Sequence, residues 1–108
     1  MSALTAHNDN ARSDTVAAHV ADATFVAEAG RIRGIVGTQV VLSQGRCVDQ
    51  LLDLLNLTTE PSVQAELVAC LTQIRKLGAV EGDYFRLVLD SVVAAVEVEA
   101  AYAQFVLR

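Results

Sequence analysis

The last quarter of the chain reads as one helix that is apolar on almost every side. It is predicted to start after Asp83, which can act as its N-cap, and to run from Tyr84 to Leu107. On a helical wheel of 100° per residue its main polar positions fall within roughly 40° of one another. Those positions are Arg86, Asp90, Glu97, Gln104 and Arg108. A helix that meets water along so narrow a stripe must be covered elsewhere, so it is either the centre of a domain or half of an interface.

The high apolar content of the chain indicates that part of its apolar surface stays uncovered. Counting the six glycines in place of the two tyrosines takes the hydrophobic 53% of the chain to about 56%, above the ~45–50% of typical domains. A chain of 108 residues has room for one core. Some of these apolar residues must therefore lie on the surface, and a contiguous patch of them predicts a partner or a homo-oligomer.

Apolar spacing predicts two further helices. In the first, which starts near Arg46, apolar residues recur at i, i+3, i+4 and i+7. They are Val48, Leu51, Leu52 and Leu55. The second begins with Thr59 as its N-cap and Pro61 in its first turn, and Gly78 ends it. Its apolar positions are Val63, Leu67, Cys70, Ile74 and Leu77.

The amino-terminal part divides into a tail and a helix. Residues 1–12 are polar and are predicted to form a disordered tail, which leaves 13–108 as a single helical domain. The helix that follows is predicted to pause at Gly30, with a core-facing row at spacings of four and three. That row is Val16, Val20, Ala23 and Ala27. No internal repeat is evident, and the pattern as a whole predicts an all-α fold, a small antiparallel bundle of about four helices.

Residues 31–44 are the ambiguous segment. Glycines interrupt a run of Ile and Val, with spacings that match neither a P-loop nor a dinucleotide fingerprint. A glycine-interrupted helix with a break near Gly34 to Gly37 is favoured, and a short strand is the alternative. The strand would need a partner from a second copy, and the helix would need another helix packed closely against its bare side.

Catalysis has no positive support in the sequence. The chain lacks HExxH, an EF-hand loop, paired Glu-x-x-His and a nucleophile elbow, and His19 is followed by Asp22, which would repel a phosphoryl group. We therefore predict no enzyme activity, cofactor or metal. A net charge of −5 argues against nucleic acid, although a helix-turn-helix over residues 60–77 and 84 onward stays open as an alternative.

The expected location is the cytoplasm. The amino terminus lacks the features of a secretory signal, and no apolar run reaches the ~18 residues of a membrane span. Cys47 and Cys70 have no second ligand pair nearby and are predicted to be buried thiols.

The function that the sequence favours is a non-enzymatic protein–protein interaction module, an acidic adaptor, chaperone or assembly subunit that self-associates. A small helical transcription regulator or DNA-binding dimer and a carrier of an apolar ligand are the alternatives. The predicted interface residues come from the glycine-rich segment and from the last helix. They are Gly30, Gly34, Gly37, Val41, Phe85, Val92, Val96, Phe105, Val106 and Leu107.

Overall fold

The computed structural model describes residues 22–106, and that part of the chain contains four helices and two short strands. The elements are α1 (22–36), β1 (Val41–Ser43), α2 (Gln44–Leu57), α3 (Pro61–Arg75), β2 (Ala79–Glu81) and α4 (Gly82–Val106). The predicted all-α bundle of about four helices is confirmed. The predicted tail over 1–12, with His19 and Leu107, lies outside the described residues.

The ends of α2 and α3 follow from local chemistry. Ser43 is the N-cap of α2, and its hydroxyl accepts a hydrogen bond from the Arg46 N–H at 3.3 Å. At the start of α3, Pro61 takes the first helical position, where its missing N–H leaves no bond unmade. The N-cap there is Glu60, not the predicted Thr59, and it forms no side-chain cap bond.

The ambiguous segment is helix in its first half and strand in its second. Helix α1 runs through Gly30 and ends at residue 36, and Gly37 follows with a φ of +53°, the left-handed conformation that ends many helices. After this break β1 pairs antiparallel with β2, with Leu42 opposite Val80. The expectation that a strand here would need a second copy of the chain is therefore wrong, because β2 lies within the same chain.

The core lies on a different face of α1 from the one predicted. Ala23 and Ala27 are exposed, and Val16 and Val20 of the predicted row are outside the described residues. The buried row on α1 is Phe25, Ala29, Ile32 and Val36, again at spacings of four and three. Burying Phe and Ile removes more apolar area from water than burying alanines, so the larger side chains determine which face of the helix packs inward.

In α3 the predicted apolar face is confirmed, with Cys70 half-buried. In α2 only Leu51 of the predicted row is buried: Val48, Leu52 and Leu55 are half-buried, and Cys47 and Leu54 complete the buried row. Leu51, Val63, Leu67 and Ile74 are buried at 1% exposure or less. Leu77 lies beyond the end of α3 and is 39% exposed. The segment after it forms β2, so the connection between α3 and α4 is a paired strand and not a helix-turn-helix turn.

The described chain consists of two helix–strand–helix units that repeat the same burial pattern. The offset is 38 residues, the difference between the strand positions 42 and 80. At this offset eight of the nine buried positions of the first unit fall on buried positions of the second, and the ninth, Ile32, falls on the half-buried Cys70. The pairs are Phe25 with Val63, Ala29 with Leu67, Val36 with Ile74, Leu42 with Val80, Cys47 with Phe85, Leu51 with Leu89, Leu54 with Val92, and Thr58 with Val96. The sequence predicts no internal repeat. The structure corrects this prediction, because the burial pattern repeats.

Each unit also caps the C-terminal end of the other unit's first helix. The Gln44 amide, at the start of α2, donates to the carbonyls of Ile74 and Arg75 at 3.0 Å, where α3 ends. The Arg86 guanidinium, near the start of α4, donates to the carbonyls of Gly37 and Gln39 at 2.8 and 3.3 Å, just after α1. These bonds satisfy carbonyls at the end of α3 and just beyond the end of α1, so the two units stabilise each other's helix ends.

Candidate interaction surface

Helix α4 is longer than the core requires. Its counterpart α2 ends at Leu57, which corresponds to Ala95 at the 38-residue offset. The last buried core residue of α4 is Val96, at 3% exposure. Residues 97–106, which we name the overhang, continue the helix by ten residues, or about 15 Å. The repeated fold therefore accounts for the first part of α4. The overhang extends past the last buried core residue, with Glu99 and Ala100 at its base half-buried.

Large apolar side chains lie on one side of the overhang and point away from the core. Val98 and Tyr102 are each 65% exposed, and Phe105 is 78% exposed. Their spacings of four and three put them on one face of the helix. Side chains of this size bury substantial apolar area when covered, so their exposure on adjacent turns marks a candidate contact surface.

The exposed face continues toward the start of α4. At spacings of four and three, the same face passes through positions that are all exposed in the structure. We name this row the outer seam; it consists of Leu87, Ser91, Ala94, Val98, Ala101 and Phe105. The alternation of four and three is the heptad pattern by which helices pack side by side.

The two flanks of the outer seam differ in their charges. Asp90 and Glu97 lie on the acidic flank, and Asp90 forms a bidentate pair with Arg33 of α1 at 2.9 and 3.0 Å. That guanidinium holds the pKa of the Asp90 carboxyl below its ordinary range. The opposite flank carries Ala95 and Tyr102, and Glu66 of α3 reaches it, because the Ser91 hydroxyl donates to the Glu66 carboxylate at 3.1 Å. Glu66 and Glu97 are therefore charges beside the outer seam for which no ion pair is described.

Three of the predicted interface residues are placed wrongly. Phe85, Val92 and Val96 are buried at 0–3% exposure in the chain's own core, so they are not available to a partner. They lie on the side of α4 opposite the outer seam, where α4 packs into the two-unit core. The sequence shows that α4 is apolar on both sides but does not show which side the core covers.

The remaining predicted residues have mixed outcomes. Phe105 and Val41 are exposed, at 78% and 61%, as an interface residue must be. Leu107 lies outside the described residues, and so does the side chain of Val106. Leu87, Val98 and Tyr102 were not predicted, although their spacing to Phe105 along one helical face is visible in the sequence.

The glycines of α1 lie on an open surface. A Cβ added at Gly30 or Gly34 would meet nothing within 4 Å, so no described residue packs against their bare side. The close approach occurs instead at Gly82, where a Cβ would come within 1.8 Å of the Gln39 carbonyl oxygen. The predicted close packing at Gly34 is therefore not present within the described chain, and the glycine that packing does require was not predicted.

No candidate metal site lies in the described part of the chain. Helix–loop–helix units bind Ca²⁺ through carboxylates in their loops, and the segments 37–43 and 76–81 carry a single acidic residue, Glu81. Among residues 22–106, no three His, Cys, Asp or Glu side chains come together as a metal site. Both cysteines are free thiols, and burial raises the pKa of Cys47 to about 11.

A cavity of about 120 Å³ lies beside the base of the overhang. Its lining includes the acidic residues Asp22, Glu60 and Glu99. Pockets for small molecules are usually ~300–1,000 Å³, so this cavity is below the usual size of a ligand pocket.

None of the helices in the described part of the chain combines the length and the hydropathy that crossing a membrane requires. No family model, curated protein or solved structure matches this chain. Function is therefore inferred from the surface of α4.

Proposed function

We propose that this protein is a non-enzymatic protein–protein interaction module that binds its partner through the outer seam of α4 and the adjacent Tyr102. The observation that carries the proposal is the exposure of Val98, Tyr102 and Phe105, 65–78%, on a helical extension that the core does not need. An apolar helix face of this kind suits a partner helix or an apolar groove.

The energetic argument starts from the size of the patch. Aromatic side chains bury ~150–250 Å² each, so Tyr102 and Phe105 together expose roughly 300 Å² at their observed exposures. Burial of apolar surface contributes ~25 cal/mol per Å², so covering these two side chains is worth about 7 kcal/mol before the costs of association. A partner therefore gains a large contribution from a few residues, as at interface hot spots.

The proposed role is that of an adaptor, chaperone or assembly subunit in the cytoplasm. Two free thiols suit a reducing compartment, where disulfides are rare. This role requires binding and no catalysis, and the side chains that support it contribute mainly apolar surface.

The test compares two variants with the native chain. Tyr102→Ser/Phe105→Ser removes the aromatic contact, and Val68→Ser, at a 52% exposed position on α3, is the matched control. At concentrations where the native chain is monomeric, both should unfold within about 0.5 kcal/mol of it, because surface substitutions are usually that small. The quantity to measure is the amount of protein, whether a second copy or another chain, that each variant retains on purification from the native host.

We expect the native chain and Val68→Ser to retain the same protein. The double variant should retain at least about tenfold less, because truncating a central aromatic costs ~2 kcal/mol or more. Equal retention by all three, or a native chain that is monomeric and retains nothing, would contradict the proposal.

A further inference from the structure

We infer that the partner on the outer seam is a second copy of this chain, and that the two α4 helices lie parallel across a two-fold axis. The inference rests on the proposed function and adds the identity and the direction of the partner. Three properties of the described residues support it: the exposed area, the charges beside the seam, and the sizes of the side chains along it.

The exposed area matches what a dimer of this size needs. Leu87 and Val98, 66% and 65% exposed, add to the two aromatics, and with Ala94 and Ala101 the patch amounts to roughly 500 Å² of apolar surface. A stable interface buries about 800 Å² on each partner, of which about 65% is apolar in homodimers. The outer seam therefore supplies roughly the apolar area that one copy contributes to a homodimer.

The charges beside the seam select a parallel pair. In an antiparallel pair with two-fold symmetry centred on the seam, each flank meets the same flank of the other copy, so Glu97 would lie beside Glu97 of that copy. In a parallel pair the Asp90–Glu97 flank of one helix meets the Ala95–Tyr102 flank of the other. Glu66, which lies against Ser91, then faces the Arg33–Asp90 pair of the other copy. In a parallel coiled coil, a flanking residue of one helix meets the residue five positions later on the other helix. Glu97 therefore lies beside Tyr102 of the other copy, whose phenol can donate a hydrogen bond to the carboxylate. Asp90 is already paired with Arg33, so it adds little repulsion.

The side chains along the seam suit contact between like residues. A parallel two-fold pair places each seam residue beside its own copy. Ala94 and Ala101 are small, so the helices can approach closely between the larger layers at Leu87, Val98 and Phe105. Ser91 is also small, and its hydroxyl donates to Glu66 of the same chain. Close approach over about three heptads keeps water from the aromatic end of the seam.

Single-cysteine substitutions test both the partner and its direction. Val98→Cys and Ala101→Cys place thiols in the seam, and Ala103→Cys is the matched control, since Ala103 is exposed on the opposite face of the same overhang. The native chain, with Cys47 buried and Cys70 half-buried, gives the background. Covalent dimer formation on mild oxidation should be about a hundredfold faster for the two seam variants than for Ala103→Cys, because the dimer holds paired thiols at millimolar effective concentration.

Direction is tested by mixing Leu87→Cys with Phe105→Cys. In an antiparallel pair centred on the seam these two positions meet, whereas in a parallel pair they lie 18 residues, or about 27 Å, apart. We expect each variant to form its own homodimer and little mixed dimer. Predominance of the mixed dimer would overturn the parallel arrangement.

Equal oxidation rates for the seam variants and Ala103→Cys would overturn the second copy as partner. If a different protein is nevertheless retained through Tyr102 and Phe105, the proposed function stands while this inference fails. If nothing is retained and no seam-specific cross-link forms, both fail.

Discussion

Gly82 shows how one missing side chain joins the two units at the scale of a residue. Its N–H donates to the Val40 carbonyl at 2.8 Å, and the Gln39 carbonyl occupies the space that a Cβ would need. The start of α4 can therefore lie against the loop that follows α1. Gly34, by contrast, lies within α1 with open space around it.

Alanine should have opposite effects at these two glycines. Gly82→Ala should lower the free energy of unfolding by about 2–3 kcal/mol, because overpacking of a filled site typically costs 1–3 kcal/mol. Gly34→Ala should raise it by about 0.5–1 kcal/mol, because alanine is the better residue within a helix. Urea unfolding of both variants checks this, and a Gly82→Ala variant as stable as the native chain would show that Gln39 moves freely.

The Arg33–Asp90 pair makes the contact between α1 and α4 depend on pH. Its pKa is lowered by the hydrogen bond from Arg33, so the pair's contribution to stability is present above the ordinary aspartate pKa and is lost as pH falls through the lower, folded value. Both side chains are about half exposed, so the contribution is small. A carboxyl NMR titration should place Asp90 below the ordinary value of 3.8, and Arg33→Gln should raise it toward that value. An unchanged midpoint in the variant would mean that another cause lowers it.

The two thiols should react at different rates. Cys47 is 1% exposed and burial raises its pKa to about 11, so little thiolate is present or accessible at neutral pH. Cys70 is half-buried, and its pKa is raised by burial and by Glu66. A thiol reagent should label Cys70 in the folded protein and reach Cys47 only at the rate of unfolding. Equal labelling of both would show that α2 opens locally.

At the scale of elements, the fold separates into helices that the sequence predicts and strands that it does not. Helices α2 and α3 follow from leucine and valine at helical spacing. Each strand has three residues and a single buried side chain, Leu42 or Val80, which is too short a pattern for alternation to stand out. The outer seam could have been read from its spacing, but the burial of the opposite face of α4 depends on contacts with the other helices.

The overhang should be separable from the fold. A chain that ends at Ala100 loses Tyr102 and Phe105, and the side chains described beyond that point are exposed. Compared at concentrations where the native chain is monomeric, its free energy of unfolding should therefore stay within about 1 kcal/mol of the native value in urea, with an unchanged cooperative transition. A loss of several kcal/mol would show that the overhang packs against its own chain.

At the scale of the whole molecule, two units with one burial pattern form the core, and a single added helical segment carries the proposed contact. The repeat escapes sequence reading because burial recurs while side-chain size does not: Cys47 corresponds to Phe85, and Ala29 to Leu67. Each unit supplies a strand and a helix-end cap to the other, so neither is expected to fold alone. The overhang has no counterpart in the first unit, so within residues 22–106 this helical extension occurs once.

Sedimentation equilibrium of the full chain tests the self-association claim most directly. The mass should rise with concentration from 11.5 kDa toward twice that value. Ala101→Lys, which places a charge in the outer seam, should restore the monomer, while Ala103→Lys on the opposite face should leave the dimer intact. A native chain that stays at 11.5 kDa across micromolar concentrations, or equal dissociation by both variants, would contradict the claim.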